Sequence, residues 1–346
     1  TIESIQGMMP KKDWETINDD WAQHDMASGA QRGDEFPHML AERYGHIRNL
    51  ADFVEKGQLA TYEAFRAMYE GRNSEMFKHT TGVITWMSNP AQPSFVWQLY
   101  HYDLEPNAAL YGAQKGSEMV HVQFNQALRG IEVVNNLPEP LKNAKVKATI
   151  YRFDGWPDSQ RVYPIAEVPG STTMKIAQLQ VNTRITQLYF IKLDLTDAEG
   201  KLLSTNFYWE HVAQDQFDGL MKLPRVTLDA TATSRTEGDN TSLTVTLTNH
   251  TKHVALLSHL QLHQKTSGKR VLPVFYSNNY IPLVPGESST VTIEAATKDF
   301  DGQAPLVEVD GFNVDVNPVD GPVAISTNLN AEPSHSPASD IVPDEK

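Results

Sequence analysis

The first third of the chain has the hydrophobic spacing of helices. From residue 50 to about residue 69, apolar or small side chains recur every three to four positions, which is the period of an amphipathic helix. The stripe consists of Phe53, Val54, Gly57, Ala60, Ala64 and Met68. Asn49 can cap the first turn, and Asp52 places a negative charge near the positive end of the helix dipole. The pattern therefore predicts a buried amphipathic helix.

A short apolar segment follows this helix. Residues 82–87 read GVITWM, are rich in β-branched side chains, and precede Asn89 and Pro90. Such a segment is typical of a strand buried on both faces, and a helix followed by a buried strand suggests an α/β unit. A second short helix is expected after Asn107, its cap, and through Lys115.

Helical periodicity ends near residue 120, and alternating segments follow as far as residue 325. In residues 190–195 and in residues 243–247, every second side chain is apolar, as in a strand with one face in a core. Residues 197–200, with sequence DAEG, are typical of a hairpin turn between two such strands. Repeated short strands separated by turns predict β-sandwiches.

These patterns divide the chain into four parts. Residues 1–119 form the helical part. Residues 120–223 and 224–325 are each about the length of one immunoglobulin-like sandwich, and the boundary between them is expected near Leu223, before Pro224. Residues 326–346 are polar and rich in Pro and Ser, which predicts a disordered tail.

Composition and charge restrict the possible functions. The net charge of −14 argues against a nucleic-acid partner, which requires clustered Lys and Arg. The chain contains no Cys, so thiolate nucleophiles and Cys-based zinc sites are excluded. It has no run of about 20 apolar residues, so no membrane span is expected. No cofactor is predicted, and the cellular compartment is left unknown, with a periplasmic or secreted location slightly favoured.

The N-terminal residues suggest a fragment. Residues 1–5, with sequence TIESI, read as the start of a helix already inside a folded domain, and the first residues carry no basic segment followed by an apolar run. We therefore expect the chain to be a piece of a longer protein.

Three histidines raise the question of a metal site. They are His253, His259 and His263. However, His259, Gln261 and His263 alternate with leucines, and this alternation favours the exposed face of a half-buried strand over a set of metal ligands. No metal site is predicted.

Three groups of motifs occur in a specific order. The first is WMSN at 86–89 with WQL at 97–99, YGAQK at 111–115 and HVQ at 121–123; the second is NFYW at 206–209; the third is VFYSNNY at 274–280 with LVPGE at 283–287 and DGFNV at 310–314. In this order they resemble the C-terminal portion of family 2 glycoside hydrolases of the β-mannosidase, exo-β-D-glucosaminidase and endo-β-mannosidase type.

The resemblance implies a fold and an activity. It implies a multidomain chain: the C-terminal end of a (β/α)8 TIM barrel, followed by two all-β immunoglobulin-like sandwiches. These enzymes are retaining, and their two catalytic glutamates lie at the ends of the fourth and seventh barrel strands. Both positions would precede Thr1, so no catalytic residue is expected in this chain, and the isolated chain is expected to be inactive.

The implied partners are an oligosaccharide or glycoside substrate, namely a β-mannoside or β-glucosaminide, and the upstream part of the same enzyme. Exo and endo action both remain open. The alternative is a non-catalytic carbohydrate-binding or interaction protein built of tandem β-sandwiches. A helix-to-strand unit at residues 50–88 argues against this alternative, because an independent sandwich module has no use for it.

The resemblance also indicates substrate-binding residues. Trp86, on the last barrel strand, would stack its indole on a sugar ring; the alternative is a core residue between barrel and helices. Asn89 would hydrogen-bond sugar hydroxyls, or else serve the turn before Pro90. Trp21 and His24 match a Trp-x-x-His element after the seventh strand, where the pocket wall is expected, although a packing or surface role is the alternative.

The sequence departs from the family pattern at one position of this loop. Many members carry a second Trp after the last barrel strand, whereas this chain has Gln92 beside Pro93. This departure weakens any inference about which sugar is bound.

Overall fold

The helices precede the strands along the chain. A computed structural model of the chain describes residues 1–15, 18–26, 35–76, 78–95, 98–182, 186–212, 216–320 and 323–324. Trp97 of the WQL motif and the predicted tail at 326–346 lie outside the described residues. The α-helices are α1 (Ile2–Met8), α2 (Asp19–Gln23), α3 (Glu35–Tyr44), α4 (Leu50–Ser74) and α5 (Ala108–Gly116).

The two predicted helices are confirmed as α4 and α5, together with their caps. The side chain of Asn49 accepts a hydrogen bond of 2.9 Å from the Asp52 backbone nitrogen. The side chain of Asn107 accepts one of 3.0 Å from the Ala109 backbone nitrogen. Each bond satisfies a donor that the first helical turn leaves without an intrahelical partner.

Strands make up most of the remaining chain. They are β1 (Val120–Asn125), β2 (Gly130–Asn135), β3 (Leu141–Arg152), β4 (Pro157–Val168), β5 (Thr172–Gln178), β6 (Leu188–Thr196), β7 (Leu202–His211), β8 (Asp229–Glu237), β9 (Asn240–Thr248), β10 (Ala255–Gln264), β11 (Val274–Tyr276), β12 (Ile281–Leu283), β13 (Ser288–Ala296), β14 (Pro305–Gly311), β15 (Val314–Asp320) and β16 (Val323–Ala324). The strands predicted at 190–195 and 243–247 are confirmed as parts of β6 and β9, and the turn at 197–200 joins β6 to β7.

The strands form four sheets. The orders are β1-β2-β5 and β4-β3-β6-β7 in the first half, then β12-β10-β14-β15 and β11-β13-β9-β8-β16 in the second. Apolar side chains from both sheets of the first half form one buried core, which includes Val122, Ile131, Val146, Ile191 and Leu193. Leu223 lies between β7 and β8, and the division into domains at this residue stays a prediction.

Strands β6 and β7 are buried on both faces. Ile191 and Leu193 point into the core of the first half, whereas Phe190 and Trp209 belong to a second core, which also contains helical residues such as Tyr62. This second core continues into the sheets around β9 and β10. The helices are therefore packed against both halves of the β region.

Two expectations about strands were wrong for this chain on its own. Residues 82–87 are not a strand: none of the described residues pairs with them, and Ile84 is 97% exposed. An extended segment becomes a strand only when a neighbour takes its backbone hydrogen bonds. The second error concerns His259, Gln261 and His263, which do lie on a strand, β10, but are buried rather than exposed.

The polar face of β10 is covered in part by the helical part and in part by Tyr280, which lies between β11 and β12. Nε2 of Gln261 donates to Oε2 of Glu3 at 3.3 Å, and the His259 ring stacks on Tyr280 with centroids 4.6 Å apart. Alternation in the sequence reports which side chains share a face, but not whether another element covers it.

Candidate functional site

A mostly apolar cavity of about 210 Å³ lies between α1, α4 and the segment after α4. Its lining includes Phe53, Phe65, Trp86, Met87, Phe95 and His101. Concave sites of this kind, with apolar walls and a few polar groups, are the usual form of small-ligand sites in proteins. The cavity contains one predicted site residue, Trp86, in its wall.

Trp86 is exposed at the edge of this cavity. Its side chain is 74% accessible, and the peptide bond to Met87 is cis. A tryptophan in a core formed by this chain would be almost fully covered, so Trp86 does not belong to such a core. The indole is available to a partner on the open side.

The loop after Trp86 is closed on itself. The carbonyl oxygen of Ser88 accepts hydrogen bonds from the backbone nitrogens of Leu99 at 2.8 Å and Tyr100 at 2.9 Å. Asn89 lies exposed just inside this closure, and its Oδ1 accepts a hydrogen bond of 2.9 Å from the Ser88 hydroxyl. Asn89 is not among the residues that line the cavity.

Trp21 is buried behind the loop. It is 3% exposed, and its ring stacks on Phe95 with centroids 4.7 Å apart and an interplanar angle of 11°. Its Nε1 donates to the carbonyl oxygen of Asp13 at 2.6 Å. Because Phe95 lines the cavity and Trp21 does not, Trp21 supports the cavity wall from the protein interior.

His24 holds the same loop through its main chain and its ring. Nδ1 of His24 lies 2.7 Å from the carbonyl oxygen of Pro93, and since a carbonyl only accepts, Nδ1 donates. The carbonyl oxygen of His24 accepts from the backbone nitrogen of Phe95 at 3.0 Å. The Trp-x-x-His element thus fixes residues 93–95. Trp86 and Asn89 are exposed and lie at the N-terminal end of the same segment.

Two polar wall residues were missed by the sequence analysis. They are Gln98, which is buried, and His101, which is partly buried; both line the cavity. Gln98 lies in the WQL motif at 97–99, so the motif was noted but the role of its amide was not. Nothing in the local spacing of His101 distinguishes it from a surface histidine.

A second cleft of about 170 Å³ separates α4 from the second half of the β region. Glu55, Arg225, His259 and Asp310 contribute polar groups to it. Nδ1 of His259 lies 2.7 Å from Oδ1 of Asp310. Burial raises the pKa of Glu55 to about 7, and the neighbouring Arg225 opposes this rise.

The described part of the chain offers no group of three or more His, Asp or Glu side chains arranged to hold a metal ion. Within the same residues, each helix is too short or too polar to cross a bilayer.

Comparison with known families gives matches over nearly the whole chain. A family model described as the exo-beta-D-glucosaminidase Ig-fold domain matches residues 206–314, from β7 to the start of β15. The exo-beta-D-glucosaminidase of Streptomyces avermitilis is 36% identical over 301 residues, which are 79% of this chain and 33% of that protein. A mannosylglycoprotein endo-beta-mannosidase of Lilium longiflorum is 26% identical over 90% of this chain.

A solved structure agrees with the fold as well. The crystal structure of the Amycolatopsis orientalis exo-chitosanase superimposes with a TM-score of 0.84 and 28% identity, covering 93% of this chain and 41% of that one. The chain spans about a third of the length of the curated exo-beta-D-glucosaminidases that it matches. These matches confirm the resemblance to the C-terminal portion of this group of enzymes.

Proposed function

We propose that this chain, which corresponds to the C-terminal portion of family 2 glycoside hydrolases of the exo-β-D-glucosaminidase and β-mannosidase type, is the C-terminal part of a retaining enzyme that hydrolyses β-glucosaminides or β-mannosides. Its catalytic glutamates lie upstream of residue 1. The chain contributes a wall of the sugar pocket.

The observation that carries this proposal is the exposed indole of Trp86. It stands at 74% exposure in the wall of a cavity that α1 and α4 also line. An aromatic face at the edge of an apolar cavity is suited to the apolar face of a pyranose ring, because stacking removes both surfaces from water. Asn89, in the loop that follows, supplies an amide for the sugar hydroxyls.

We assign indirect roles to the other two predicted residues. Trp21 supports Phe95 by stacking, and His24 binds the carbonyl of Pro93. Both therefore act on the sugar through the position of the loop rather than by contact. In barrel enzymes the pocket is built from the loops that follow the strands, and their geometry controls the rate.

The proposal also explains the exposed residues before Trp86. We propose that residues 82–86 form the last strand of a barrel when the upstream part of the enzyme is present. Ile84 is 97% exposed, and a β-branched side chain of this kind is typical of a strand that neighbours cover on both faces. The upstream strands would supply the backbone hydrogen bonds that these residues lack within the described structure.

The test compares the chain alone with the chain joined to its upstream portion. We expect no turnover of p-nitrophenyl β-D-glucosaminide or β-D-mannoside by the chain alone, and turnover with retained anomeric configuration by the complete enzyme. The relative kcat/KM for the two substrates identifies the sugar. Turnover by the chain alone, or inversion by the complete enzyme, would contradict the proposal.

The alternative function, a carbohydrate-binding or interaction protein of tandem sandwiches, predicts a different result. In that case the chain alone should bind chito- or manno-oligosaccharides in calorimetry, with no upstream portion added. The helix α4 is packed against both α5 and the sheets, which an independent pair of sandwiches does not require. We therefore prefer the hydrolase.

A further inference from the structure

Four polar groups form a continuous chain of three hydrogen bonds along the wall of the Trp86 cavity. Nε2 of His101 lies 2.8 Å from the nitrogen of Thr1, which is the terminal amino group of this chain and would be a peptide nitrogen in the complete enzyme. Nδ1 of His101 lies 2.8 Å from Oε1 of Gln98. Nε2 of Gln98 in turn donates to the carbonyl oxygen of Ser94.

The direction of each bond follows from the chemistry of the groups. A peptide nitrogen, like a terminal ammonium, is only a donor, so Nε2 of His101 accepts. The proton of a neutral imidazole is then on Nδ1, which donates to Oε1 of Gln98. This leaves the Gln98 amide nitrogen to donate to Ser94. An imidazolium, which has two donors and no acceptor, would break the bond to Thr1.

The surroundings favour the neutral ring. Burial, followed by the charge of the terminal amino group at Thr1 and by Arg270, holds the pKa of His101 well below its usual range in this chain. In the complete enzyme the terminal charge is absent, and burial, the largest cause, and Arg270 act in the same direction. The guanidinium of Arg270 is itself fixed by Asp103 at 2.7 Å and by Glu105 at 3.0 Å. Protonation of His101 would therefore add a second positive charge near the guanidinium of Arg270, which its two carboxylate partners hold in position.

The chain of bonds joins two separate parts of the cavity wall. Thr1 leads into α1, whereas Gln98 and Ser94 belong to the loop that is closed at Ser88. The backbone of Gln98 is also fixed, because its carbonyl oxygen accepts from Nδ2 of Asn107 at 3.0 Å. His101 is thus a polar link between α1 and the loop that carries Asn89.

We propose that His101 is a positioning residue, which as a neutral imidazole sets the distance between α1 and the loop of Trp86 and Asn89 across the sugar pocket. This inference rests on the proposed function. A displacement of about 1 Å in such a wall is able to cost about 10²-fold in rate, because the sugar is then no longer aligned with the catalytic groups.

Two substitutions separate this role from others. His101→Gln keeps one donor and one acceptor, whereas His101→Phe keeps a ring of similar size and loses both. In the complete enzyme we expect His101→Phe to lower kcat/KM on the order of 10²-fold, mainly through kcat. His101→Gln should restore most of this loss, with the acid limb of the pH profile unchanged, because no imidazole titrates.

Opposite results would overturn the proposal. If His101→Phe has the kcat/KM of the unmodified enzyme, His101 does not position the loop. If His101→Gln is as slow as His101→Phe and shifts the acid limb, the imidazole acts by transferring a proton. His79→Gln, at an exposed histidine paired with Glu75, is the matched control and should change neither quantity.

Hydrogen exchange of the chain tests the same link without any activity. Thermal melting first shows that each variant is folded. The amides of Leu99 and Tyr100, which close the loop on Ser88, should then exchange faster in His101→Phe than in His101→Gln. Equal exchange rates would reject the positioning role. If the complete enzyme hydrolyses neither glycoside while exchange differs as expected, the proposed function fails and the positioning role stands.

Discussion

Nε2 of His121, in β1, lies 3.2 Å from Oε1 of Glu70, in α4. Nδ1 of the same ring lies 2.9 Å from Oε2 of Glu118, so both ring nitrogens face carboxylates. Such a geometry requires both nitrogens to donate, which only the imidazolium does. Glu70 also accepts a hydrogen bond from Tyr208 at 2.8 Å. A buried ion pair therefore joins the longest helix to the first sheet of the β region.

The first prediction concerns the pH dependence of this pair. Burial opposes the charge of His121, but the hydrogen bonds to Glu118 and Glu70 outweigh it and raise the pKa above the usual 6.5. The imidazolium thus contributes stability that is complete below pH 6.5 and lost as the pH rises through the folded-state pKa. His121→Ala should cost about 1.5 to 3 kcal/mol below that pH, because each carboxylate loses one charged hydrogen bond but keeps another partner, Tyr208 for Glu70 and Lys115 for Glu118.

Urea denaturation at about pH 6 and about pH 9 measures this difference. The cavity left by the ring is the same at both pH values, so the pH-dependent part of the loss reports the charge alone. The loss should be smaller at the higher pH. A loss of equal size at both would show that His121 is neutral in the folded chain.

The second prediction concerns Glu55, whose charged form destabilises the folded chain, whereas the charged form of His121 stabilises it. Burial raises its pKa from the usual 4.5 to about 7, and Arg225, Asp52, Asp310 and Arg48 supply the nearby charges. The folded chain therefore binds this proton more tightly than the unfolded chain, and stability falls as the pH rises from 4.5 to about 7.

Glu55→Gln removes this cost. The variant should melt at a higher temperature than the unmodified chain at about pH 8, and at the same temperature at about pH 4. Glu42→Gln, at an exposed position of α3, is the control and should show no such difference. A variant that melts lower at about pH 8 would mean that the Glu55 carboxylate is stabilised by its neighbours.

The third prediction concerns the contact between α4 and α5. A Cβ added to Gly112 would lie 2.2 Å from the carbonyl oxygen of Tyr62, which is backbone and unable to move aside. Gly112→Ala should therefore separate the two helices and cost about 1 to 3 kcal/mol or more. Gly71→Ala in α4, where a Cβ would meet nothing within 4 Å, should instead stabilise by about 0.5 to 1 kcal/mol. Thermal or urea unfolding compares the two, and equal effects would contradict the close contact.

The regular elements were predictable because their signals are local. The caps at Asn49 and Asn107 and the alternation in β6 and β9 act within a few residues, and the structure contains all four. Residues 82–87 have the composition of a strand but do not form one in this chain, because strand pairing requires partner residues from elsewhere in the fold. Burial of β10 likewise depends on α1, which is far away in the chain.

The site was predictable only in part, for the same reason. The motif at 86–89 pointed to Trp86 and Asn89, and both are exposed at the N-terminal end of the loop. The same motif reasoning did not distinguish Trp21, whose ring is covered by Phe95, from an exposed tryptophan. Gln98 and His101 become recognisable only when their hydrogen bonds are known.

Trp21 and Trp86 provide the last prediction, because the two tryptophans differ in what surrounds them. Trp21 is 3% exposed and Trp86 is 74% exposed. Trp21→Ala should leave a cavity beside Phe95 and cost about 3 to 5 kcal/mol. Trp86→Ala removes a side chain with few neighbours, so its stability cost in the isolated chain should stay within about 0.5 kcal/mol.

In the complete enzyme we expect Trp86→Ala, and not Trp21→Ala, to have the larger effect on catalysis. Trp86→Ala should lower kcat/KM on the order of 10²-fold with little change in melting temperature, since the sugar loses its stacking surface and its alignment. Trp21→Ala should lower the melting temperature, as should Leu59→Ala, a buried control in α4 that does not line the cavity. Melting and steady-state kinetics on the same preparations separate the two effects. A Trp86→Ala enzyme that is strongly destabilised, yet whose folded fraction keeps a normal kcat/KM, would show that Trp86 packs against the upstream part and does not contact the sugar.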